Sequence, residues 1–276
     1  MNSNLEYSYH KLEKLKEYIK SLKSVAVAFS NGVDSTFLLK TAHDVLGNKA
    51  VAVTIDLKSA PKYERGEAEL FCKKEKIRQI IVKFDELSVN GFKQNPPNRC
   101  YLCKTAIFKK IRQISDELGL NEIVEGSNVD DDGDYRPGMK ALSELGIKSP
   151  LRYAELTKEE IRLLSKEMGL PTWNKPSSAC LSSRFVYGEE ITEEKLNMVG
   201  EAENYLYGQG FKQCRCRIHG KIARLEILPE DFAKMLEEEI RDKIYKKCKS
   251  LGFTYITLDL KGYRTGSMNE TLLVAK

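Results

Sequence analysis

Short apolar runs alternate with helical patterns over the first half of this chain. Runs rich in β-branched residues occupy residues 24–29 and 49–56, and each is followed by apolar residues at helical spacing. Further strands are predicted at 78–87 and from residue 121 onward. Strands that alternate with helices favour a doubly wound parallel sheet, with a binding edge at the carboxyl ends of its strands. The predicted fold class is therefore α/β.

The pattern changes near residues 187–188. From there the sequence predicts a helix, two alternating strands, a second long helix over 231–252 and a last strand. This order predicts a smaller α+β domain over residues 188–276, after an α/β domain over residues 1–187 that carries the loop cysteines.

Composition limits the classes of protein that this chain can belong to. Of its 276 residues, 41% are hydrophobic and 31% are charged, which suits a core inside a polar surface. No apolar run approaches the roughly 20 residues that a membrane span needs, and the first residues form a charged amphipathic pattern without a signal core. We therefore expect a cytoplasmic protein. A net charge of +5 suits an anionic substrate, and it neither demands nor excludes RNA.

The stretch AFSNGVDSTFLL, residues 28–39, places small and turn-forming residues between a buried strand and a helix. Backbone N–H groups at such a turn converge on an anion, and the helix dipole adds to the attraction. Asp34 is a candidate ligand for Mg²⁺ beside the phosphates. An ordinary strand–turn–helix is the plain alternative. The candidate phosphate-binding residues are Ser30, Gly32, Val33, Asp34, Ser35 and Thr36.

This loop resembles the PP-loop of N-type ATP pyrophosphatases, which is usually written SGGxDS. The resemblance implies the fold of the adenine nucleotide alpha hydrolases, and an enzyme that adenylates its substrate and releases pyrophosphate. The sequence departs from the motif at Asn31, where a glycine is usual. Because Asn tolerates positive φ better than most residues, we expect the turn to survive this replacement.

A second polar segment, GSNVDDDGDYRPG at residues 126–138, follows the last predicted strand of this sheet. A run of aspartates often forms only a solvated loop. In the PP-loop families the matching stretch lies at the ATP and magnesium site, which makes Asn128, Asp130 and Asp131 candidates. Arg136 is a candidate for an acidic substrate or a phosphate.

Two cysteines stand three positions apart in NRCYLCK, residues 98–104. Such a pair can hold a metal, cycle through a disulfide or simply pack. A lone CxxC pair is not a metal site, since zinc takes four ligands and a cubane cluster at least three. The three histidines have no spacing that completes a zinc site: His10, His43 and His219.

The other five cysteines differ in context, and the seven together form no regular disulfide framework. Cys72 and Cys248 lie in helical patterns and are expected to pack in the core. Cys214 and Cys216 alternate along a strand, so both thiols face one side of it. Cys180 lies in the loop KPSSACLSSR, near Lys175 and Arg184, where its pKa could be lowered and its thiol reactive.

These motifs, with LPTWNKPSSACLSSR and RCRIHGKIARLEI, occur in one order across nearly the whole chain. Together they resemble the LarE family, the ATP-dependent sulfur transferases of nickel-pincer nucleotide biosynthesis. The resemblance implies that Cys180 handles the sulfur. Some members sacrifice the sulfur of that cysteine; others carry two further cysteines and hold a 4Fe–4S cluster by three thiolates. It therefore implies a cluster on Cys100, Cys103 and Cys180, whose open iron binds hydrosulfide.

The same resemblance implies the partners. The substrate is a pyridinium mononucleotide with carboxylates, the co-substrates are ATP with Mg²⁺ and sulfide or a sulfur donor, and the chain forms a homo-oligomer. Arg215 and Arg217, which face one side of a strand, correspond to the family's phosphate-binding arginines. A solvated sheet face with ion pairs to Arg224 and Glu226 is the alternative.

Charged residues near the cysteines complete the predicted site. Lys104 and Arg99 flank the cysteine pair and are candidates for substrate carboxylates or ATP phosphates, with Lys104 assigned to catalysis. Arg184, beside Cys180, is assigned to cofactor binding.

Three alternative functions remain open from the sequence. A tRNA thiolase with a three-cysteine cluster predicts a continuous basic patch, but the charge is mild and no RNA module is recognisable, so we expect no nucleic-acid partner. An amide-forming ATP pyrophosphatase has no use for the three loop cysteines. A non-catalytic nucleotide-binding regulator with structural zinc predicts no turnover of ATP with any carboxylate acceptor.

Overall fold

The computed structural model describes residues 3–60, 62–133, 137–176, 179–264 and 266–270. They divide into two units. The first unit holds Met1–Leu57, Lys62–Asp85 and Cys100–Ser178, and the second holds Lys58–Pro61, Glu86–Arg99 and Ala179–Lys276. The second unit thus takes two short segments from the first half of the chain. The predicted domain boundary near residue 187 stays a prediction.

The first unit is built on a sheet of four parallel strands in the order β3-β2-β1-β4. In register, Val25 lies between Ala50 and Glu122. This all-parallel sheet confirms the predicted α/β class. Its strands are β1 (Val25–Ala28), β2 (Ala50–Leu57), β3 (Gln79–Phe84) and β4 (Glu122–Val124).

Helices cover both faces of this sheet because its central strands β1 and β2 are apolar on both sides. Val25 and Val27 pack into a core with residues of α1, α2, α3 and α7, whereas Ala26 packs with residues of α4 and α5. The helices of this unit are α1 (Ser3–Ser21), α2 (Val33–Leu46), α3 (Lys62–Lys74), α4 (Arg99–Glu117), α5 (Pro137–Glu144), α6 (Pro150–Tyr153) and α7 (Lys158–Glu167). Among the described residues, none of the helices has the length and apolar composition that crossing a bilayer requires.

The strand order creates a binding crevice at a defined place. From β1 the chain winds outward to β2 and β3 on one side, and β4 lies on the other side of β1. The sheet therefore has its topological switch point between β1 and β4, at their carboxyl ends, where α/β sheets bind ligands. The loops that leave β1 and β4 are the two predicted ATP-binding segments.

The second unit contains a three-stranded sheet in the order β5-β6-β7, with α8 (Glu193–Gly208) before it. Strand β5 (Cys214–His219) is antiparallel to β6 (Ile222–Ile227), which is parallel to β7 (Tyr255–Leu258). The predicted single helix over 231–252 is wrong. The chain forms α9 (Phe232–Leu236) and α10 (Glu238–Ser250), because Glu237 is extended, with φ −55° and ψ 129°. This break places Glu238 and Glu239 in a first helical turn, where the helix dipole favours acidic side chains.

Candidate active site

The loop after β1 has the geometry of a phosphate-binding turn. Gly32 is the N-cap of α2 and has no side chain to cap the first turn, whose N–H groups can therefore bind an anion. The hydroxyls of Ser30 and Ser35 lie 3.2 Å apart, and Ser35 Oγ donates to the Gly32 carbonyl at 3.2 Å. Val33 and Thr36 have buried side chains, 3% and 0% exposed; Val33 can offer a ligand only its backbone, whereas the Thr36 hydroxyl has no hydrogen-bond partner among the described residues.

Asn31 occupies the left-handed conformation that a glycine usually supplies in this motif. Its φ is 58°, which confirms that the turn tolerates the replacement. Its side-chain amide donates to Glu67 Oε2 at 3.0 Å, and Lys175 Nζ donates to its carbonyl oxygen at 3.1 Å. Lys175 also pairs with Glu67 at 2.8 Å. A small network of side chains therefore holds the residue that departs from the motif.

The loop after β4 contacts the phosphate-binding turn through Asp34. Asn128 Nδ2 donates to Asp34 Oδ1 at 3.1 Å, and the Lys158 ammonium pairs with Asp34 Oδ2. Asp131 Oδ2 accepts the backbone N–H of Asn128 at 3.0 Å, and Asp130 Oδ2 accepts the N–H of Lys158 at 2.7 Å. The structure thus brings Asp34 and Asn128 together, and the two other aspartates shape the loop. A carboxylate such as that of Asp34 is the ligand type that Mg²⁺ prefers, and in this structure it pairs with the Lys158 ammonium.

Lys104 and Arg136 are the two further charged candidates of the first unit. Lys104 lies on α4, and its aliphatic stem packs so closely on α5 that a Cβ at Gly138 would lie 2.7 Å from its Cδ. Arg136 lies outside the described residues. The roles of both stay predictions.

The CxxC pair lies at the amino-terminal end of α4, which begins at Arg99. Residues three positions apart share one face of a helix, so Cys100 and Cys103 lie side by side. Cys100 is exposed and Cys103 half-buried. Both side chains are therefore accessible from one face of the helix, and their role as metal ligands stays a prediction.

Cys180 is an exposed thiol in the second unit. Its sulfur lies 3.0 Å from Ser59 Oγ, to which the thiol donates. The chain then enters a short 3₁₀ turn, Leu181–Arg184.

Three arginines bind the backbone of the Cys180 loop. Arg184 donates to the carbonyls of residues 179 and 180 at 3.0 and 3.3 Å, Arg99 to that of residue 182 at 2.8 Å, and Arg217 to that of residue 183 at 2.9 Å. The three side chains are 2%, 5% and 6% exposed. Guanidinium groups therefore bind four backbone carbonyl oxygens around Cys180 and fix the course of this loop.

Buried carboxylates compensate two of these charges. Glu203 accepts a bidentate pair from Arg184 at 2.7 and 2.8 Å, and Glu226, which is 0% exposed, accepts from Arg217 at 3.0 and 2.9 Å. Arg215 donates to the Tyr207 hydroxyl at 3.3 Å. These contacts bind the arginine side chains within the unit, so the roles of Arg184, Arg215 and Arg217 toward a nucleotide stay predictions.

Comparison with known proteins identifies the family. No family model matches the chain. It is 37% identical over 269 residues, 94% of this chain and 93% of the relative, to pyridinium-3,5-bisthiocarboxylic acid mononucleotide synthase of Lactiplantibacillus plantarum. The chain belongs to the LarE family. It is also 40% identical over 95% of its length, and 98% of the relative, to an uncharacterised protein of Synechocystis sp..

A more distant relative places the LarE-family chain among ATP-dependent enzymes. It is 30% identical over 205 residues, 69% of this chain and 65% of the relative, to one subunit of the glutamine-hydrolysing GMP synthase of Methanocaldococcus jannaschii. This match agrees with the PP-loop fold seen in the first unit.

The structure shows contacts to the predicted site residues from residues that the sequence motifs do not mark. They are acids, a lysine and a hydroxyl that contact predicted residues from distant positions in the chain: Ser59, Glu67, Lys158 and Glu203. Among the acids that bind the arginines, Glu226 does have a sequence signal, because it alternates with arginines in adjacent predicted strands. The others follow neither a motif nor a periodic pattern.

The four remaining cysteines of the LarE-family chain are structural. Cys72, Cys214, Cys216 and Cys248 are at most 2% exposed, which confirms the predicted packing role of Cys72 and Cys248. Burial raises the pKa of Cys72 and Cys214 to about 12 and that of Cys248 to about 11, so these thiols stay protonated.

The donor chemistry of this LarE-family chain fits an iron–sulfur cluster in part. Over the described ranges, no three His, Cys, Asp or Glu side chains are grouped so that they could hold a metal ion. The three predicted ligands are nevertheless the cysteines that are not buried. Accessible thiolates are the ligands that such clusters take.

We expect Gly126→Ala to disable the phosphate-binding turn. A Cβ on Gly126 would lie 3.0 Å from the backbone nitrogen of Ser35 and 3.2 Å from the carbonyl carbon of Asp34, and neither backbone atom can yield as a flexible side chain would. Because small misplacements of positioning groups are costly, pyrophosphate release should fall by about tenfold or more. The measurement is pyrophosphate release with ATP and the carboxylate substrate.

Gly66→Ala is the matched control for this substitution. Gly66 lies in α3, and a Cβ there meets nothing within 4 Å. We expect unchanged activity and a free energy of unfolding higher by up to about 1 kcal/mol, because alanine favours helix. A wild-type rate for Gly126→Ala would contradict the assignment of this turn.

Proposed function

We propose that the chain is an ATP-dependent sulfurtransferase that converts carboxylates of a pyridinium dicarboxylate mononucleotide into thiocarboxylates. The observation that carries this proposal is the exposed Cys180 thiol on a loop whose carbonyls are bound by three arginines. Support comes from the PP-loop geometry around Asp34, and from the L. plantarum relative, whose name is that of a bisthiocarboxylic acid mononucleotide synthase.

The first step is adenylation of a carboxylate, which is otherwise a poor acyl electrophile at neutral pH. The turn from Ser30 to Thr36 binds the phosphates through backbone N–H groups, and Asp34 and Asn128 would hold Mg²⁺, which would supply positive charge to the phosphates. A carboxylate oxygen attacks the α-phosphorus, pyrophosphate leaves, and the acyl adenylate forms. Lys158, which pairs with Asp34, adds a positive charge at this site.

The second step transfers sulfur. An anionic sulfur attacks the acyl carbon, AMP leaves with the bonding electron pair, and a thiocarboxylate remains. Repetition at the second carboxylate gives the dithio product. In this proposal Arg215 and Arg217 anchor the nucleotide phosphate, Arg184 holds the Cys180 loop, and Lys104 binds a substrate carboxylate.

The sulfur source in this proposal is an iron–sulfur cluster. A 4Fe–4S cluster held by Cys100, Cys103 and Cys180 would leave one iron without a protein ligand, and hydrosulfide bound there would supply the nucleophile. The chain's part is to present three accessible cysteine side chains.

Iron and sulfide content after anaerobic purification tests the cluster, with thiocarboxylate formation from ATP, sulfide and the dicarboxylate nucleotide as the test of the reaction. We expect about four irons per chain in the wild type, and their loss in Cys100→Ala. Cys72→Ala is the control and should keep its iron. An iron-free protein that forms thiocarboxylate once, with Cys180 losing the mass of a sulfur, indicates the sacrificial route. No thiocarboxylate under either condition overturns the proposed function.

A further inference from the structure

Ser59 belongs to the segment that holds Cys180 in place. It is 1% exposed, and its hydroxyl lies 3.0 Å from the Cys180 sulfur. Its carbonyl oxygen also accepts the N–H of Leu181 at 2.9 Å. The Cys180 loop is thus attached to Ser59 by one backbone and one side-chain hydrogen bond, although 121 positions separate the two residues.

A buried carboxylate fixes Ser59 itself. Glu86 is 0% exposed, and its two carboxylate oxygens accept the N–H groups of Ser59 at 2.6 Å and Lys58 at 3.1 Å. Burying a carboxylate is costly unless it is hydrogen-bonded, so this arrangement persists only with both N–H groups in place. Glu86 therefore supports the backbone from which the Ser59 hydroxyl reaches Cys180, and so orients that hydroxyl before any substrate binds.

We propose that Ser59 is a positioning residue for the sulfur of Cys180. This proposal rests on the proposed function, in which Cys180 handles the sulfur. An exposed cysteine side chain can occupy several rotamers, and a hydrogen bond to a fixed hydroxyl selects one of them. A serine hydroxyl both accepts and donates, so it can hold the sulfur as a thiol and also as a thiolate. The direction of the sulfur is thereby maintained through the reaction.

Ser59→Ala separates positioning from other effects, because it removes only the hydroxyl. We expect single-turnover thiocarboxylate formation to fall about tenfold, while pyrophosphate release stays within about twofold of wild type, since one hydrogen bond to the sulfur is lost and the ATP turn is untouched. Ser115→Ala is the matched control: Ser115 is 0% exposed, and its hydroxyl donates to the backbone carbonyl of residue 120 at 3.3 Å, within the first unit.

Alkylation of the metal-free protein gives a second result that does not depend on activity. Iodoacetamide labelling of Cys180 and Cys100 at about pH 10 is followed by peptide mass spectrometry. Loss of the hydroxyl releases the Cys180 sulfur from its hydrogen bond to Ser59, so Cys180 should react about threefold to tenfold faster in Ser59→Ala while Cys100 is unchanged.

The two results distinguish this proposal from its alternatives. Slower sulfur transfer together with faster labelling of Cys180 alone supports positioning. Faster labelling of the buried Cys214 and Cys248 as well indicates general loosening and overturns it. Rates of transfer and labelling within about twofold of wild type overturn it too. If the wild type forms no thiocarboxylate, the proposed function fails, but the labelling result still decides whether Ser59 holds the sulfur.

Discussion

Cys180→Ala should abolish thiocarboxylate formation, by about 10³-fold or more, and leave pyrophosphate release intact. The thiol is exposed at the surface of a loop whose carbonyls bind buried guanidinium groups, so nothing else in that loop replaces its sulfur. Adenylation depends on the turn after β1, which this substitution does not touch. The measurement is a single-turnover assay that follows pyrophosphate and thiocarboxylate in the same sample.

Cys248→Ala controls for the loss of a cysteine from the same unit. Cys248 lies on α10, is 1% exposed and has its pKa raised by burial to about 11, so its thiol is inert. We expect a small loss of stability, about 1 kcal/mol, from the void that remains, and normal sulfur transfer. Thiocarboxylate formation by Cys180→Ala at more than about a tenth of the wild-type rate would exclude Cys180 from the sulfur step.

The fold of the first unit could be predicted because its signals are local. Each strand is a short apolar run, and each helix has apolar residues at helical spacing. The phosphate-binding turn connects β1 to α2 within a dozen residues. Boundaries leave a weaker signal. The sequence predicts one helix over 231–252, whereas the structure has two, because no proline or glycine marks the break at Glu237.

The surroundings of Cys180 could not be predicted in this way. Alternation along β5 indicates that Arg215 and Arg217 share a face, but a period of two does not tell whether that face meets solvent or protein. In the structure Arg217 is buried against Glu226 and the Cys180 loop. Ser59 and Glu86 come from short segments of the chain, and contacts made by isolated residues leave no periodic trace in the sequence.

The second large effect is expected for Asp34→Asn. The substitution keeps the shape of the side chain and removes the negative charge that would hold Mg²⁺ beside the phosphates. Asn128 can still donate to the remaining amide oxygen, so the contact between the two loops survives. We therefore expect ATP-dependent pyrophosphate release to fall on the order of 10² or more, because positive charge at the reacting phosphate is the main contribution of this site.

In Asp34→Asn the free energy of unfolding should change much less than the rate of pyrophosphate release. The Asp34–Lys158 pair is partly exposed, with side chains 23% and 33% accessible, and such pairs contribute at most about 1 kcal/mol. Asp44→Asn is the matched control on the same helix, since Asp44 pairs with Lys40 one turn away and is 42% exposed. It should lose a similar or smaller amount of stability and retain full activity.

Comparison of Asp34→Asn with Asp44→Asn then separates the effect of losing a negative charge at the candidate metal site from that of losing one elsewhere on α2. Thermal unfolding gives the stability of each, and pyrophosphate release at several Mg²⁺ concentrations gives the rate. If Asp34 holds the metal, excess Mg²⁺ should partly restore Asp34→Asn, because weakened metal binding is offset by mass action. Equal rates for the two variants at every Mg²⁺ concentration would place the metal elsewhere, and would leave Asp34 with the structural task of pairing with Lys158 and Asn128.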